Sequence, residues 1–422
     1  MSHAQIKETV LGPLVTRTGF RSSINSLKTF PEYKVEYPRV VVDALADLYR
    51  EYNRSFAPLI DANREWTTDY RFCKAAPGIL NYFGQVDMLG LLQEHADPIE
   101  GGTVEAAREF LRYRIFEIEN SLATYQLFER AFPNGSDDSF FSIRYRAALD
   151  RLRQRFDRPI ALLAVTEEKY EAIRAVEFGK SAEERLSSAE VETLSGFQAL
   201  LGPRDFRLDL AREYLLYVRC SDPIAKLKKP NYFVRQLLLG DERARQLVKE
   251  RALTLNIDSP EMQYQKRIND TKEYLVAMGM GHLVSCREDF ESPVFERYFL
   301  SQGMSLDDVT HHRIQLRAKP MKGAYGCYGH VRGFANSEFF RRIRHEIASR
   351  GPYIIQPEMS YPMVRDRTGQ VYTVMDRVFF GMAEGSPTFL GGFRFLMPAN
   401  SLEARRGRNH GHDDVIWAEI VS

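Results

Sequence analysis

Leu316-Arg317-Ala318-Lys319-Pro320-Met321-Lys322-Gly323-Ala324-Tyr325-Gly326-Cys327-Tyr328-Gly329-His330-Val331-Arg332-Gly333 is a strand pattern that ends in lysine and proline and runs into four spaced glycines. Glycine tolerates positive φ and lets backbone N–H groups approach an anion closely, while lysine places a point charge beside it. Polyphosphate is the guest that suits this combination. The ordinary nucleotide motifs are absent, since there is no GxxxxGK[ST] and the spacing is not GxGxxG. A plainer reading of the same residues is a glycine-rich hairpin turn in an α+β domain, with Lys319 solvated.

Around this segment the last third of the chain is rich in strand patterns: Arg313–Ala318, Tyr353–Gln356, Val371–Phe380, Gly392–Leu396 and Val415–Ile420. A helix is expected from Ser337 to Ser349, and Asp366-Arg367-Thr368-Gly369 has the composition of a turn between antiparallel strands. Upstream, Asp258 to Met280 reads as a helix closed by Gly281. Ile160–Val165 is a continuous apolar run of the kind buried in a sheet, and Tyr214–Val218 is a second strand, which together suggest an α/β layer. Residues 40–157 read as helical. Their clearest stripe follows Thr103, a capping residue, with Val104, Ala107, Phe110, Leu111, Ile115, Ile118 and Leu122 at three- and four-residue spacing. The expected division is a mainly helical region over 1–157, an α/β lobe over 158–257 and a nucleotide-binding domain over 258–422.

A chain of 422 residues is long enough for two or three packed lobes. With 58 Lys+Arg against 57 Asp+Glu, no overall field points to nucleic acid or an anionic membrane. Cys73, Cys220, Cys286 and Cys327 are far apart and form no CxxC pair, which fits reduced thiols and a cytoplasmic location. The first residues carry no apolar stretch of signal-peptide length, and no run of about 18 apolar residues occurs. No GxSxG or HExxH element supports a covalent nucleophile or a zinc site.

Lys319-Pro320, Gly323, Gly326 and Val331, with Gly329 displaced by one, resemble the lysine-proline and glycine-rich loop of the ATP-grasp superfamily. Tyr353-Ile354-Ile355-Gln356-Pro357-Glu358-Met359 is similar to the strand and hinge that bind adenine there. The resemblance implies an α/β (α+β) fold with an ATP-grasp-like C-terminal domain built on antiparallel sheet. It also implies a carboxylate-amine ligase of the class that joins amino-acid-like substrates through an acyl phosphate, using ATP and Mg2+. Lys272, Lys319, Lys322, Gly323, Gly326, Gly329, Gln356, Glu358 and Met359 are then the nucleotide-binding residues. Asp376, Asn400 and Glu419 are the magnesium ligands, and Arg377, Arg394 and Arg405 the cations facing the phosphates or a substrate carboxylate. The closing ExN of the family is absent, because Val421 and Ser422 follow Glu419. In the permuted branch, the eukaryotic-type glutathione synthetases, metal carboxylates come from earlier in the chain, and Val176-Glu177-Phe178-Gly179 resembles that element.

Other features stay open. His410 and His412 are two apart before the last strand, without a third ligand in the pattern, and suit a polar surface loop as well. Residues 1–157 suit a substrate lobe or a homodimer surface. The rival functions are a non-catalytic scaffold that binds a partner through its helical region, and an RNA-binding module built on Lys322–Tyr328. The aromatics of that segment are out of register for stacking bases, and the near-zero net charge disfavours RNA.

Overall fold

The computed structural model describes residues 7–8, 15–18, 26–62, 83–92, 99, 102–112, 114–119, 140–164, 199–201, 213–219, 276, 278–284, 315–320, 330–358, 361–365, 369–383, 386–399 and 416–422. In chain order the elements are β1 (Lys7–Glu8), β2 (Val15–Thr18), β3 (Ser26–Glu36), α1 (Arg39–Ala62), β4 (Phe83–Leu89), α2 (Val104–Arg112), β5 (Ile115–Glu119), α3 (Phe140–Phe156), β6 (Ile160–Ala164), β7 (Ala199–Leu201), β8 (Leu215–Arg219), β9 (His282–Val284), β10 (Gln315–Pro320), β11 (Val331–Phe334), α4 (Ser337–Arg350), β12 (Tyr353–Pro357), β13 (Met363–Arg365), β14 (Val371–Ala383), β15 (Ser386–Pro398) and β16 (Ile416–Val421). They build a mixed α/β structure whose two larger sheets are mainly antiparallel.

The largest sheet has nine strands, in the order β1-β3-β16-β15-β14-β4-β5, with β2 added at β3 and β13 at β14. Its strands come from both ends of the chain, so the expected boundaries at 157 and 257 do not divide it. Among its described residues the first region has three helices and five strands, and all five strands belong to this sheet. β3 and β16 run parallel and skip register between Trp417 and Glu419, opposite the part of β3 that contains Pro31. Proline has no N–H to give to a ladder, so pairing resumes beyond it.

Adjacent residues of β14 meet different helices. Phe380 stacks on Tyr49 of α1 at 5.2 Å, and Phe379 meets Phe141 of α3 edge-on at 5.5 Å. A strand sends successive side chains to opposite faces, so α1 and α3 cover the two sides of the sheet. Gly84 of β4 lies under the Tyr49 ring, where an added Cβ would sit 2.0 Å from the hydroxyl oxygen. The bulge in β15 between its pairings with Phe379 and Phe380 is made possible by Gly391, at φ 103. The glycine pair of Gly391-Gly392-Phe393-Arg394 thus bends a strand.

The helical stripe after Thr103 is only partly helix. Thr103 does cap α2, its Oγ1 accepting from the Ala106 N–H at 3.2 Å, but the helix stops at Arg112. Ile115 and Ile118 are buried from a strand instead. β5 pairs Ile118 with Val86 and Ile115 with Met88, and a register shift between them lets two residues three apart face the same core. Two strand residues at that spacing imitate a helical repeat.

A second sheet has four antiparallel strands in the order β11-β10-β12-β9, and a third has three parallel strands, β7-β6-β8. The parallel pairing of Ile160–Ala164 with Leu215–Arg219 is the α/β layer read from those two runs. β13 and β14 are antiparallel across the expected turn, with Gly369 at φ 89. Of the expected helix 258–280 only the end is described: Val276 is helical, and the chain turns at Gly279, φ 66, rather than at Gly281. No described helix is long and apolar enough to cross a membrane.

Candidate functional site

The four-stranded sheet separates its residues by chemistry. On one face Leu316, Ala318, Val331, Tyr353, Ile355 and Val284 form an apolar core with Phe339 and Ile343 of α4. That helix is set by Asn336, whose side chain accepts from the Phe339 N–H at 2.9 Å, and ends at Gly351, φ 86. The register places Arg317 opposite both Arg332 and Gln356, and Lys319 opposite Ile354. Directly opposed residues share a face, and alternation adds Glu358 to it. Arg317, Lys319, Arg332, Gln356 and Glu358 therefore stand together on the side away from α4.

Within this group Glu358 is the organiser. Arg317 donates to both of its oxygens, Nε to Oε2 at 2.9 Å and Nη2 to Oε1 at 2.7 Å, a bidentate fork. Arg332 Nε lies 3.6 Å from the same Oε2. Burial works against the Arg317 charge, but the hydrogen bonds and charge of Glu358, with a contribution from Tyr361, outweigh it and hold the guanidinium above its ordinary pKa. Lys319 is 5% exposed, so it is not the solvated lysine of the plainer reading. The Arg332 side chain keeps 33% exposure, which leaves part of its fork toward solvent. Arg317 and Arg332 thus share one carboxylate, and Lys319 stands two residues further along β10 on the same face.

Gln356 is buried, and its Nε2 donates to the Met280 carbonyl at 2.6 Å. Pairing of β12 with β9 ends at Ile355, so Gln356 is the first residue past that ladder. Both carboxylate oxygens of Glu358, expected beside adenine, accept from Arg317. The glycine-rich segment connects β10 to β11. Lys322, Gly323, Gly326, Gly329, Met359, Lys272, Asn400 and Arg405 lie outside the described residues, as do His410, His412 and the four cysteines.

The remaining expected site residues belong to the nine-stranded sheet, and the structure corrects their roles. Asp376 and Arg377 are consecutive in β14 and point to opposite faces, so one phosphate cannot engage both. Asp376 accepts from Arg394 Nε and Nη2, each at 2.8 Å, from the Leu91 N–H at 2.9 Å and from the Tyr37 hydroxyl. Both partners of the Asp376–Arg394 pair are fully buried, and Arg394 also donates to the Leu91 carbonyl. Burial, reinforced by the Asp376 charge, raises the Tyr37 hydroxyl well above its ordinary pKa. Arg377 forms a buried two-point pair with Asp87 of β4 and stands over the Phe395 ring. With side-chain exposures of 4% and 0%, these two guanidiniums lie in the interior of the sheet, away from a substrate carboxylate at the surface.

Glu419 faces the opposite side from Asp376. It lies opposite Phe393, whereas Ala418 lies opposite Arg394, so the two carboxylates cannot share a metal ion. Its Oε1 accepts from the Phe141 N–H at 3.4 Å, satisfying one of the orphan donors at the start of α3, and its Oε2 is 3.5 Å from Lys34. The carboxylates of Asp376 and Glu419 thus do not fit a magnesium site, and no group of three or more His, Cys, Asp or Glu among the described residues is placed to hold a metal.

Burial raises the pKa of Glu419 from its ordinary 4.5, against the opposing pull of Lys34 and the α3 N–H groups. A raised carboxylate stabilises the fold fully below its unfolded value and loses that contribution as pH rises through the folded value. Urea midpoints of the wild type should therefore fall as pH climbs above 4.5 more than those of Glu419→Gln, whose amide keeps an acceptor for Phe141. Parallel pH curves for the two proteins would show that Glu419 is not the group responsible.

No family model matches the chain, and no curated protein matches its sequence. Among solved structures, a glutathione synthetase-like effector from Globodera pallida, in its apo form, aligns over 91% of this chain and 88% of its own. The identity is 10% and the TM-score 0.38. So distant a likeness carries no inference about activity.

Proposed function

We propose that this chain is an ATP-dependent carboxylate-amine ligase of the ATP-grasp type, acting on small amino-acid-like substrates. The observation that supports this reading is the charged face of the four-stranded sheet. Arg317 and Arg332 stand there at Glu358, with Lys319 further along β10 on the same face, and the sequence between β10 and β11 has glycine at 323, 326 and 329. ATP, when bound, supplies the γ-phosphoryl group that activates the carboxylate. Lys319 and Arg332 neutralise phosphate charge, and the glycines let the backbone N–H groups of 321–329 approach it. Glu358 holds Arg317 in place and offsets the like charges of Arg317 and Arg332. The apolar side under α4 fixes the backbone of β10, so the charged side is presented on a rigid strand rather than a loop. Glu177 and Asn400, outside the described residues, are the remaining oxygen donors that the resemblance offers for magnesium.

The test is calorimetric titration with ATP and magnesium, followed by measurement of ADP and phosphate in the presence of pooled amino acids. Saturable binding and amino-acid-dependent ADP release are expected. A chain that binds no nucleotide is not this enzyme.

A further inference from the structure

Residues 278–284 cross from one hydrophobic core to another. Met278 and Met280 are buried in the core that holds Leu45, Ala107 and Leu111, whereas Val284 is buried under α4 in the core of the four-stranded sheet. Between them the backbone turns at Gly279 and becomes β9, the edge strand that pairs with β12. Two side chains from different parts of the fold hold this turn. Arg112, the last residue of α2, donates from Nη1 to the Met278 carbonyl at 3.0 Å, and Gln356 donates to the Met280 carbonyl. Arg112 is fixed in turn by Glu51 of α1, with Nη2 at 2.9 Å from Oε2 and 3.3 Å from Oε1. An added Cβ on Gly279 would lie 4.0 Å from Arg112 Nη1, so the guanidinium sits close over the turn.

We infer that Arg112, clamped by Glu51, is a positioning residue that docks the four-stranded sheet onto the helical face of the nine-stranded one. The path runs from Glu51 through Arg112 and the 278–280 turn to Gln356. Across the ladder from Gln356 stands Arg317 with Glu358. Arg112 reaches the charged face only through the turn, whose Met280 carbonyl is held by Gln356. The inference rests on the ligase reading only for its consequence on nucleotide affinity; the docking itself is a statement about the fold.

Arg112→Ala, Arg112→Lys and Glu51→Gln in the full chain test it by two independent measurements. Hydrogen exchange of the amides in 282–284 and 353–357 should quicken about tenfold in Arg112→Ala, while those in 371–383 and 386–398 keep wild-type protection. Arg112→Lys should recover much of the protection, because an ammonium can still donate to the Met278 carbonyl and pair with Glu51, and Glu51→Gln should fall between. ATP affinity should weaken about tenfold in Arg112→Ala at an unchanged unfolding midpoint. Unchanged exchange at 282–284 and 353–357 overturns the inference, as does an equal rise throughout the nine-stranded sheet, which would mark simple loss of stability. If the wild type binds no ATP, the ligase reading falls and the exchange data still decide the docking.

Discussion

Arg394→Met lowers the stability of this protein by about 3–5 kcal/mol, because it leaves the Asp376 carboxylate buried without its cation. Domain stabilities are about 5–15 kcal/mol, so the loss removes a large fraction of the total. The readout is the urea midpoint, which should fall by about 1 M or more at an unchanged slope. Asp376→Asn should cost a similar amount by stranding the guanidinium. Replacing both partners often restores a buried pair to neutrality, but not here. Asp376 also accepts from the Leu91 N–H and the Tyr37 hydroxyl, and Arg394 donates to the Leu91 carbonyl. The double variant Asp376→Leu/Arg394→Met orphans those three groups at about 1–3 kcal/mol each. Adding Tyr37→Phe removes one of them and should regain part of the loss. A drop below about 1 kcal/mol in Arg394→Met would mean that the pair carries no structural weight, and a ligand role would have to be reconsidered.

Much of the last third was legible because its strands alternate. Tyr353–Pro357 and β10 were found within two residues of their observed ends, since apolar residues recur at every second position on the α4 side. The helix expected from Ser337 to Ser349 ends one residue later, at Arg350. β4 was not legible, and Phe83-Gly84-Gln85-Val86-Asp87-Met88-Leu89 shows why: all seven residues are buried, so polarity says nothing about which face is inside. Asp87 can sit there only because Arg377 answers it from a strand 290 positions away, a partner no local pattern reveals. β5 was misread for the different reason that a bulge gives a strand the spacing of a helix.

The same limit governed the site. Asp376, Arg377, Arg394 and Glu419 are chemically suited to magnesium and phosphate, and sequence distance alone could not reveal that they satisfy one another or cap a helix. The missed residues, Arg317 and Arg332, carried a signal. Each stands one position out of phase with an apolar neighbour in a strand flanking the glycines, so both were due to share the face of Lys319. The ladder between β10 and β11, which sets Arg317 against Arg332, could not be read from either strand alone.

Lys319→Met should abolish amino-acid-dependent ADP release, by about 10²–10³-fold, with the fold intact. Methionine fills nearly the same space as the lysine stem, so any fall in the unfolding midpoint should stay small beside the loss of turnover. This comparison separates function from structure: a lysine kept for packing or pairing alone would show a lower midpoint and no specific loss of turnover, whereas one kept for phosphate loses turnover far beyond its change in stability. Lys319→Arg restores the charge but adds bulk on a strand hemmed in by Ile354, so it should recover binding better than turnover. Arg332→Ala gives the contrast. Its side chain is one-third exposed at the end of the group, so it should raise KM for ATP and leave kcat within a few-fold. Full turnover in Lys319→Met, at any midpoint, would remove the residue on which the ligase reading turns and return the glycine-rich connection to an ordinary hairpin.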